Sequence, residues 1–245
     1  MPRMRLDRLL SNMGFGTRSE VRELLHVGRV TVDGAAVRDA GMAVDPASQA
    51  VCADGERVEW KENRTVMLFK PRGVLTAARD PKQMTVQDLL PPMYRSLGCM
   101  PAGRLDKDTD GLLILTTDGQ LAHRLISPAK EVEKVYEATV DGPLSEADVR
   151  TFAAGLVIKD ADGAFTAKPA GLAILSSGEE ESRARVTVTE GKYHQVRRMF
   201  AARGRTVLTL RRLSIGGLVL DPALAPGQWR ELSDGEIALL ASSAS

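Results

Sequence analysis

The feature that most constrains this chain is a series of short apolar runs, at 66–69, 111–115, 135–140, 185–189 and 206–210, each bounded by Gly, Pro, Asp or Ser. Runs of that length and punctuation read as strands. Helical patterns at 118–126, 145–154 and 193–203 interrupt them without a regular strand–helix rhythm. That spacing predicts an α+β domain on a mixed sheet rather than a doubly wound parallel one. The stretch 176–182, Ser-Ser-Gly-Glu-Glu-Glu-Ser, reads as an exposed loop between strands, and the last residues, 241–245, as a frayed tail.

The first sixty residues follow a different pattern. Leu6, Leu9, Leu10 and Met13 fall at helical spacing, and Gly14-Phe15-Gly16 breaks that helix. Thr17 followed by Glu20 is a capping-box spacing, and it starts a second helix with Val21, Leu24 and Leu25 on its apolar face. Gly28 suits its stop. Val30-Thr31-Val32 then reads as a strand turning at Asp33-Gly34, with further strand around 36–38. A small α/β module at 1–60, a polar link at 61–64 and a larger domain at 65–240 are the expected divisions.

Composition excludes more than it identifies. A hydrophobic fraction of 43% is ordinary for a globular chain, and no run approaches the roughly 20 apolar residues of a membrane span. The opening MPRMRLDRLL has neither the apolar core nor the cleavage site of a signal peptide, so the expectation is a cytoplasmic protein. Cys52 and Cys99 form no CxxC pair, and His26, His123 and His194 show no ligand spacing, so no metal is expected. The net charge of +1 conceals local crowding: Arg3, Arg5, Arg8, Arg18, Arg22 and Arg29 in the first thirty positions, then Arg203, Arg205, Arg211 and Arg212. Guanidinium groups suit phosphate contacts. Arg18 and Arg22, four apart, share a helix face.

The most informative stretch is Gly103-Arg104-Leu105-Asp106-Lys107-Asp108-Thr109-Asp110-Gly111. It copies the opening of a calcium loop, but that loop needs Glu at its twelfth position, where Thr117 stands. It also misses the DxDxT phosphatase pattern, because Thr109 comes one place early and Gly103-Arg104 stand where an apolar strand should end. A plain Asp/Gly turn before a buried strand fits the spacing and leaves Arg104 and Asp106 unexplained.

GRLDKDTDGLLILTTDG resembles the signature of the RsuA family of ribosomal RNA pseudouridine synthases. The resemblance extends through Lys70-Pro71-Arg72-Gly73, Ser127-Pro128 with Glu133-Lys134-Val135-Tyr136, the basic stretch 191–200 (GKYHQVRRMF), Ile215-Gly216-Gly217 and Leu224-Ala225-Pro226-Gly227. Residues 4–57 are similar to the S4 RNA-binding domain, so the likeness covers nearly the whole chain. Departures are mild: Phe69 stands where a polar Asn is common, and Arg197 where Lys also occurs.

The resemblance implies an S4-like module followed by a catalytic domain on a mixed, mainly antiparallel sheet with flanking helices. It implies Asp106 as the nucleophile on a flipped-out uridine, Arg197 as the basic partner holding that carboxylate ionised, and Tyr136 as the aromatic residue at the base. Arg104 is expected to fill the space that the base vacates, with Gly103 and Leu105 beside it. Lys192, His194, Gln195 and Arg198 are expected near the substrate, and Lys192, His194, Arg198, Arg203, Arg205, Arg211 and Arg212 against phosphates. Arg5, Arg8, Arg18, Arg22 and Arg29 are the expected RNA contacts of the first module. No cofactor is implied, because the isomerisation adds and removes nothing. The expected partner is ribosomal RNA, of the small subunit by the look of the Ser127-Pro128-Ala129-Lys130 stretch, the basic stretch 190–204 and the ending 215–233, within an assembly intermediate, with the protein a monomer. A large-subunit substrate, a non-catalytic RNA-binding assembly factor and a hydrolase of N-glycosidic bonds in RNA are the alternatives.

Overall fold

The computed structural model describes residues 3–161 and 163–242. It divides into two compact units, one formed by residues up to Asn63 with Pro91–Gly98, the other by Arg64–Leu90 and everything from Cys99 on. Among the described residues no helix is long and apolar enough to cross a membrane.

In the first unit, helices Leu6–Asn12 and Arg18–His26 pack on a four-stranded antiparallel sheet ordered Ala35–Ala36, Val30–Val32, Val51–Ala53, Glu56–Arg57. The capping box forms as the sequence spacing requires: the Thr17 amide donates to the Glu20 carboxylate at 2.7 Å and the Glu20 amide to Thr17 Oγ1 at 3.4 Å. Leu6, Leu9, Leu10, Val21, Leu25, Val30 and Val32 make the core, with Trp60 packed against it. Asp33 and Gly34, both at positive φ, close a two-residue hairpin turn. The strand after that turn is only Ala35–Ala36, shorter than the sequence suggested, because strand pairing with Val30–Val32 ends there.

The second unit is built on a nine-stranded sheet. Its path runs Gly171–Ser176, Glu181–Val188, Lys134–Asp141, Val207–Ile215, Asp110–Thr116, Thr65–Lys70, Trp229–Glu231, with Leu218–Val219 and Met100–Pro101 paired alongside. Every pairing is antiparallel except Val207–Ile215 against Asp110–Thr116. Burial explains the sequence pattern. Thr65–Lys70 and Asp110–Thr116 are buried at every position and read as continuous apolar runs, while Glu181–Val188 alternates exposed and buried.

Helices Glu146–Ala154 and Gln195–Ala201 cover one cluster, where Phe152 and Phe200 pack tilted at 5.1 Å. Gly119–Ile126 and Asp234–Ser242 contribute to a second around Met67, Leu112 and Ile114. Asp118 caps its helix by accepting from the Gln120 and Leu121 amides. The expected helix at 193–203 is shorter, Gln195–Ala201, because His194 takes a left-handed conformation as its N-cap. Of the tail expected to fray, Ala241 and Ser242 continue the last helix, and 243–245 lie outside the described residues.

Candidate active site

The loop 103–111 has little regular structure of its own, and buried donors hold it. Lys70 ends a fully buried strand, and its ammonium spreads three donors over four carbonyls: Thr109 at 2.9 Å, Pro71 at 3.0 Å, Asp106 at 3.1 Å and Lys107 at 3.3 Å. Burial pushes this ammonium down to about 8, with the Asp106, Asp110 and Asp108 carboxylates opposing the shift and Arg212 adding to it. Thr76 Oγ1 clamps Leu105 at both ends, donating to its carbonyl at 2.7 Å and accepting from its amide at 3.2 Å. The Gly73 amide donates to the Lys107 carbonyl at 2.8 Å. The KPRG turn and the Asp106 loop are therefore one hydrogen-bonded unit.

Gly111 ends the loop at φ +110°, and a Cβ there would lie 2.3 Å from the Arg212 carbonyl oxygen. Only glycine permits this approach, which is the parallel pairing of Arg211 with Asp110 and of Arg212 with Gly111. Arg212 is also the antiparallel neighbour of Tyr136 on the next strand. Three adjacent strands thus bring Gly111, Arg212 and Tyr136 side by side.

Over this junction lies a cavity of about 520 Å³ whose walls include Asp106, Tyr136, Arg212, Arg104, Lys134 and His194. That volume is in the range of small-ligand sites, roughly 300–1,000 Å³. The Asp106 side chain is 33% exposed, and His194 Nε2 lies 3.5 Å from its Oδ1. His194 stacks on Tyr193 at 3.8 Å. Arg212 is 3% exposed; its Nε donates to the Leu112 carbonyl at 2.8 Å and its Nη1 lies 3.4 Å from the Tyr136 hydroxyl. Lys134 Nζ donates to the Val132 carbonyl at 2.8 Å, and burial, with Arg212 nearby, pushes it down to about 8. Chemically this is an ionisable carboxylate facing a half-enclosed, cation-lined space with an aromatic wall.

Asp106, Tyr136, Arg104, Gly103, Leu105, Lys192, His194 and Gln195 all line that cavity. Arg104 is exposed and has no hydrogen bond or ion pair among the described residues. Arg197 departs from expectation. It does not pair with the Asp106 carboxylate; its guanidinium donates to the Val207 carbonyl at 3.1 Å and the Asp108 carbonyl at 3.2 Å. Those bonds tie the loop to a neighbouring strand, and His194 is the basic group beside Asp106 instead.

Gln195, expected near the substrate, lines the cavity. It is buried, donates to Glu190 at 2.9 Å and accepts from the Lys192 amide at 3.1 Å. Arg198 is buried and donates to the Gly163 carbonyl at 2.6 Å over the Phe165 ring, out of reach of a backbone phosphate. Lys192 reaches the Thr166 carbonyl at 2.9 Å and Glu190 at 3.2 Å.

The second arginine cluster also resolves differently. Arg212 is inside the cavity, Arg203 is paired with Asp148 at 2.9 Å, Arg211 with Asp110 at 2.8 Å, and Arg205 donates to the Pro143 carbonyl at 2.9 Å. Adjacent positions on one strand point to opposite faces, which is why Arg211 and Arg212 part company. In the first unit, Arg5 is fixed on the buried Asp7 carboxylate at 2.9 Å with Arg22 at 4.0 Å, and Arg29 pairs with Asp54. Arg8 and Arg18 are exposed and have no such partner among the described residues. Lys70 and Lys134 stand in motifs of the resemblance with no role assigned to them, and Thr76 is in none. A lysine closing an otherwise apolar strand immediately before proline was the available signal for the first.

Family and structure comparisons bear on the same residues. The family model described as RNA pseudouridylate synthase matches residues 64–202, and that of the S4 domain matches 4–58. An uncharacterized RNA pseudouridine synthase of Bacillus subtilis, YtzG, is 46% identical over 97% of this chain and 98% of its own length. Ribosomal small subunit pseudouridine synthase A of Yersinia pestis is 41% identical over 96% of this chain and 97% of its own. A crystal structure of a pseudouridylate synthase superposes with a TM-score of 0.67 at 33% identity, covering 97% of this chain and 99% of that one.

Proposed function

Since the chain belongs to the RsuA-like family of RNA pseudouridine synthases with an N-terminal S4 domain, we propose that it converts one uridine of small-subunit ribosomal RNA to pseudouridine, with Asp106 as nucleophile. The observation that carries the substrate is the near full-length likeness to a relative named for the small subunit. The observation that carries the residue is that Asp106 lines the cavity, on a loop held through its backbone.

The chemistry follows from that placement. The target base leaves the RNA stack and enters the cavity, and Arg104, exposed and unpartnered, fills the gap. The ionised Asp106 attacks the nucleotide. Attack at ribose C1′ displaces uracil through N1, and attack at C6 loosens the same bond; both require the carboxylate at one fixed place. The base turns, C5 bonds to C1′, the bond to Asp106 breaks and returns its pair to the carboxylate, the C5 proton departs and N1 gains one. Tyr136 lines the cavity, so its ring can stack on the base and its hydroxyl can take part in the proton transfer. Arg197 acts by anchoring the loop through the Asp108 carbonyl.

The test maps pseudouridine by carbodiimide adducts in ribosomal RNA from wild-type cells, a deletion strain, and the deletion complemented with Asp106→Asn. One reverse-transcription stop in small-subunit RNA, missing from both mutants, is expected. The same stop in large-subunit RNA would replace the substrate and keep the chemistry; no difference anywhere would leave an RNA-binding role, and free uracil released from RNA a hydrolase.

A further inference from the structure

Arg212 is the most anomalous charge in the catalytic unit. Its side chain is buried, it has no carboxylate in ion-pair range among the described residues, and its Nη2 is a buried donor with no partner. Leaving a buried donor unsatisfied costs stability, more for a charged group. Nothing in the surrounding fold recovers that cost. The neighbouring charges sharpen the point, since Lys70 and Lys134 are both cations that Arg212 depresses. The floor of the cavity is cation-rich before any substrate enters.

We propose that Arg212 is a catalytic residue: its unpartnered Nη2 donates to a carbonyl oxygen of the flipped uracil and holds the negative charge that develops there as the N1–C1′ bond breaks. The inference rests on the synthase reading above. Electron bookkeeping puts negative charge on a uracil carbonyl oxygen by either route, with O4 common to both. Cleavage at C1′ leaves the bonding pair on N1, delocalised onto O2 and O4. Addition at C6 pushes a pair through C5 and C4 onto O4. A fixed donor in a low-dielectric site stabilises such charge far more than water does.

The backbone supplies the fixing. Arg212 is hydrogen-bonded at Nε, lies cross-strand from Tyr136, and is locked against Gly111 by an approach that only glycine allows. The donor is therefore held beside Tyr136 in the wall of the cavity that Asp106 also lines. A flanking phosphate would stay at the cavity mouth, whereas the base must enter to meet Asp106.

The test uses RNA spanning the mapped uridine, with that residue as uridine, 2-thiouridine or 4-thiouridine, in single turnover at saturating full-length enzyme. Sulfur accepts hydrogen bonds poorly, and its electronic effect on the base cancels when the thio effect is compared between enzyme forms. Arg212→Met is expected to slow the uridine reaction about 100-fold with RNA affinity within about 2-fold of wild type. One of the two sulfur substitutions should then cost wild type at least several-fold more than it costs the variant. Arg212→Lys, which keeps the charge but moves the donor, should lie between and serves if the Met variant does not fold. A sulfur penalty equal in wild type and variants overturns the proposal, as does an Arg212→Met rate within 2-fold of wild type. Wild-type enzyme that makes no pseudouridine in unmodified RNA overturns the reading beneath it as well; normal turnover with equal sulfur penalties overturns the role of Arg212 alone.

Discussion

Lys70 in the catalytic unit and Arg18 in the N-terminal unit carry the same charge under opposite conditions. Lys70 is fully buried, surrounded by three carbonyls of the Asp106 loop and that of Pro71, and depressed to about 8. Arg18 projects from the first turn of an exposed helix and touches no partner among the described residues. The contrast holds for their neighbours. Arg197 and Arg212 point at backbone carbonyls, while Arg5 and Arg29 are partly exposed and lean on single carboxylates. Cations in one unit define where a loop sits; cations in the other remain available to an external polyanion.

The largest effect that would break this division lies at Asp106. Asp106→Asn should lower the single-turnover rate on the order of 10⁴-fold or more, yet leave RNA affinity within about 2-fold and urea stability within about 0.5 kcal/mol. Its partly exposed carboxylate meets the fold only through His194 at 3.5 Å and through its charge on the buried Lys70 ammonium. Weakened RNA binding of the same size as the rate loss would show that Asp106 is part of the docking surface instead. Next comes Lys70→Met. Removing the donor that these four carbonyls share should cost about 2–3 kcal/mol in urea unfolding and about 100-fold in rate through misplacement of the loop, with RNA affinity unaffected. A stable Lys70→Met protein at full rate would mean that Thr76 and Arg197 suffice to hold the loop.

Acidity provides an intermediate effect with opposed signs. Above about pH 8 Lys70 loses a proton and one of its donors, so the rate should fall roughly 10-fold by pH 9.5. Stability should move the other way on this account. The folded value lies below the unfolded 10.5, so the buried charge costs stability below pH 8, and that cost is relieved between 8 and 10.5. Lys134 titrates in the same range, so the profile is repeated with Lys134→Gln. A midpoint that survives in that variant belongs to Lys70; one that vanishes transfers the effect to the cavity floor.

What could be read in advance follows the same division. The continuous runs 66–69 and 111–115 announced buried strands, and Thr17 with Glu20 announced a helix start, because period and caps are local. The strand Gly171–Ser176, the hairpin of Leu156–Asp160 with Gly163–Ala167, and the three-residue edge Trp229–Glu231 were not read, since they are defined by pairing with distant strands. The site divides likewise. Asp106 and Tyr136, which the motifs single out, line one cavity. The roles of Arg212 and Arg197 were not legible, because a guanidinium beside a helix or strand reads the same whether it meets phosphate, carboxylate or carbonyl. Only the register, which sets Arg212 against Gly111 and Tyr136, decides that.

The smallest effect tests the exposed side of the comparison. Arg8 and Arg18 have no intramolecular partner to lose among the described residues, so replacing either with Ala removes charge without exposing a carboxylate. Each substitution should weaken RNA binding two- to five-fold at moderate salt and lower the slope of log K against log salt by about 1, one phosphate contact's worth. Arg29→Ala should behave less simply, because it frees Asp54 to repel the RNA and so adds repulsion to the lost attraction. At saturating RNA the single-turnover rate of Arg18→Ala should equal wild type, measured beside Lys70→Met. If the rate at saturation fell for both, a surface cation would be acting on catalytic geometry, and the separation between cations that hold the loop and cations that hold the RNA would not stand.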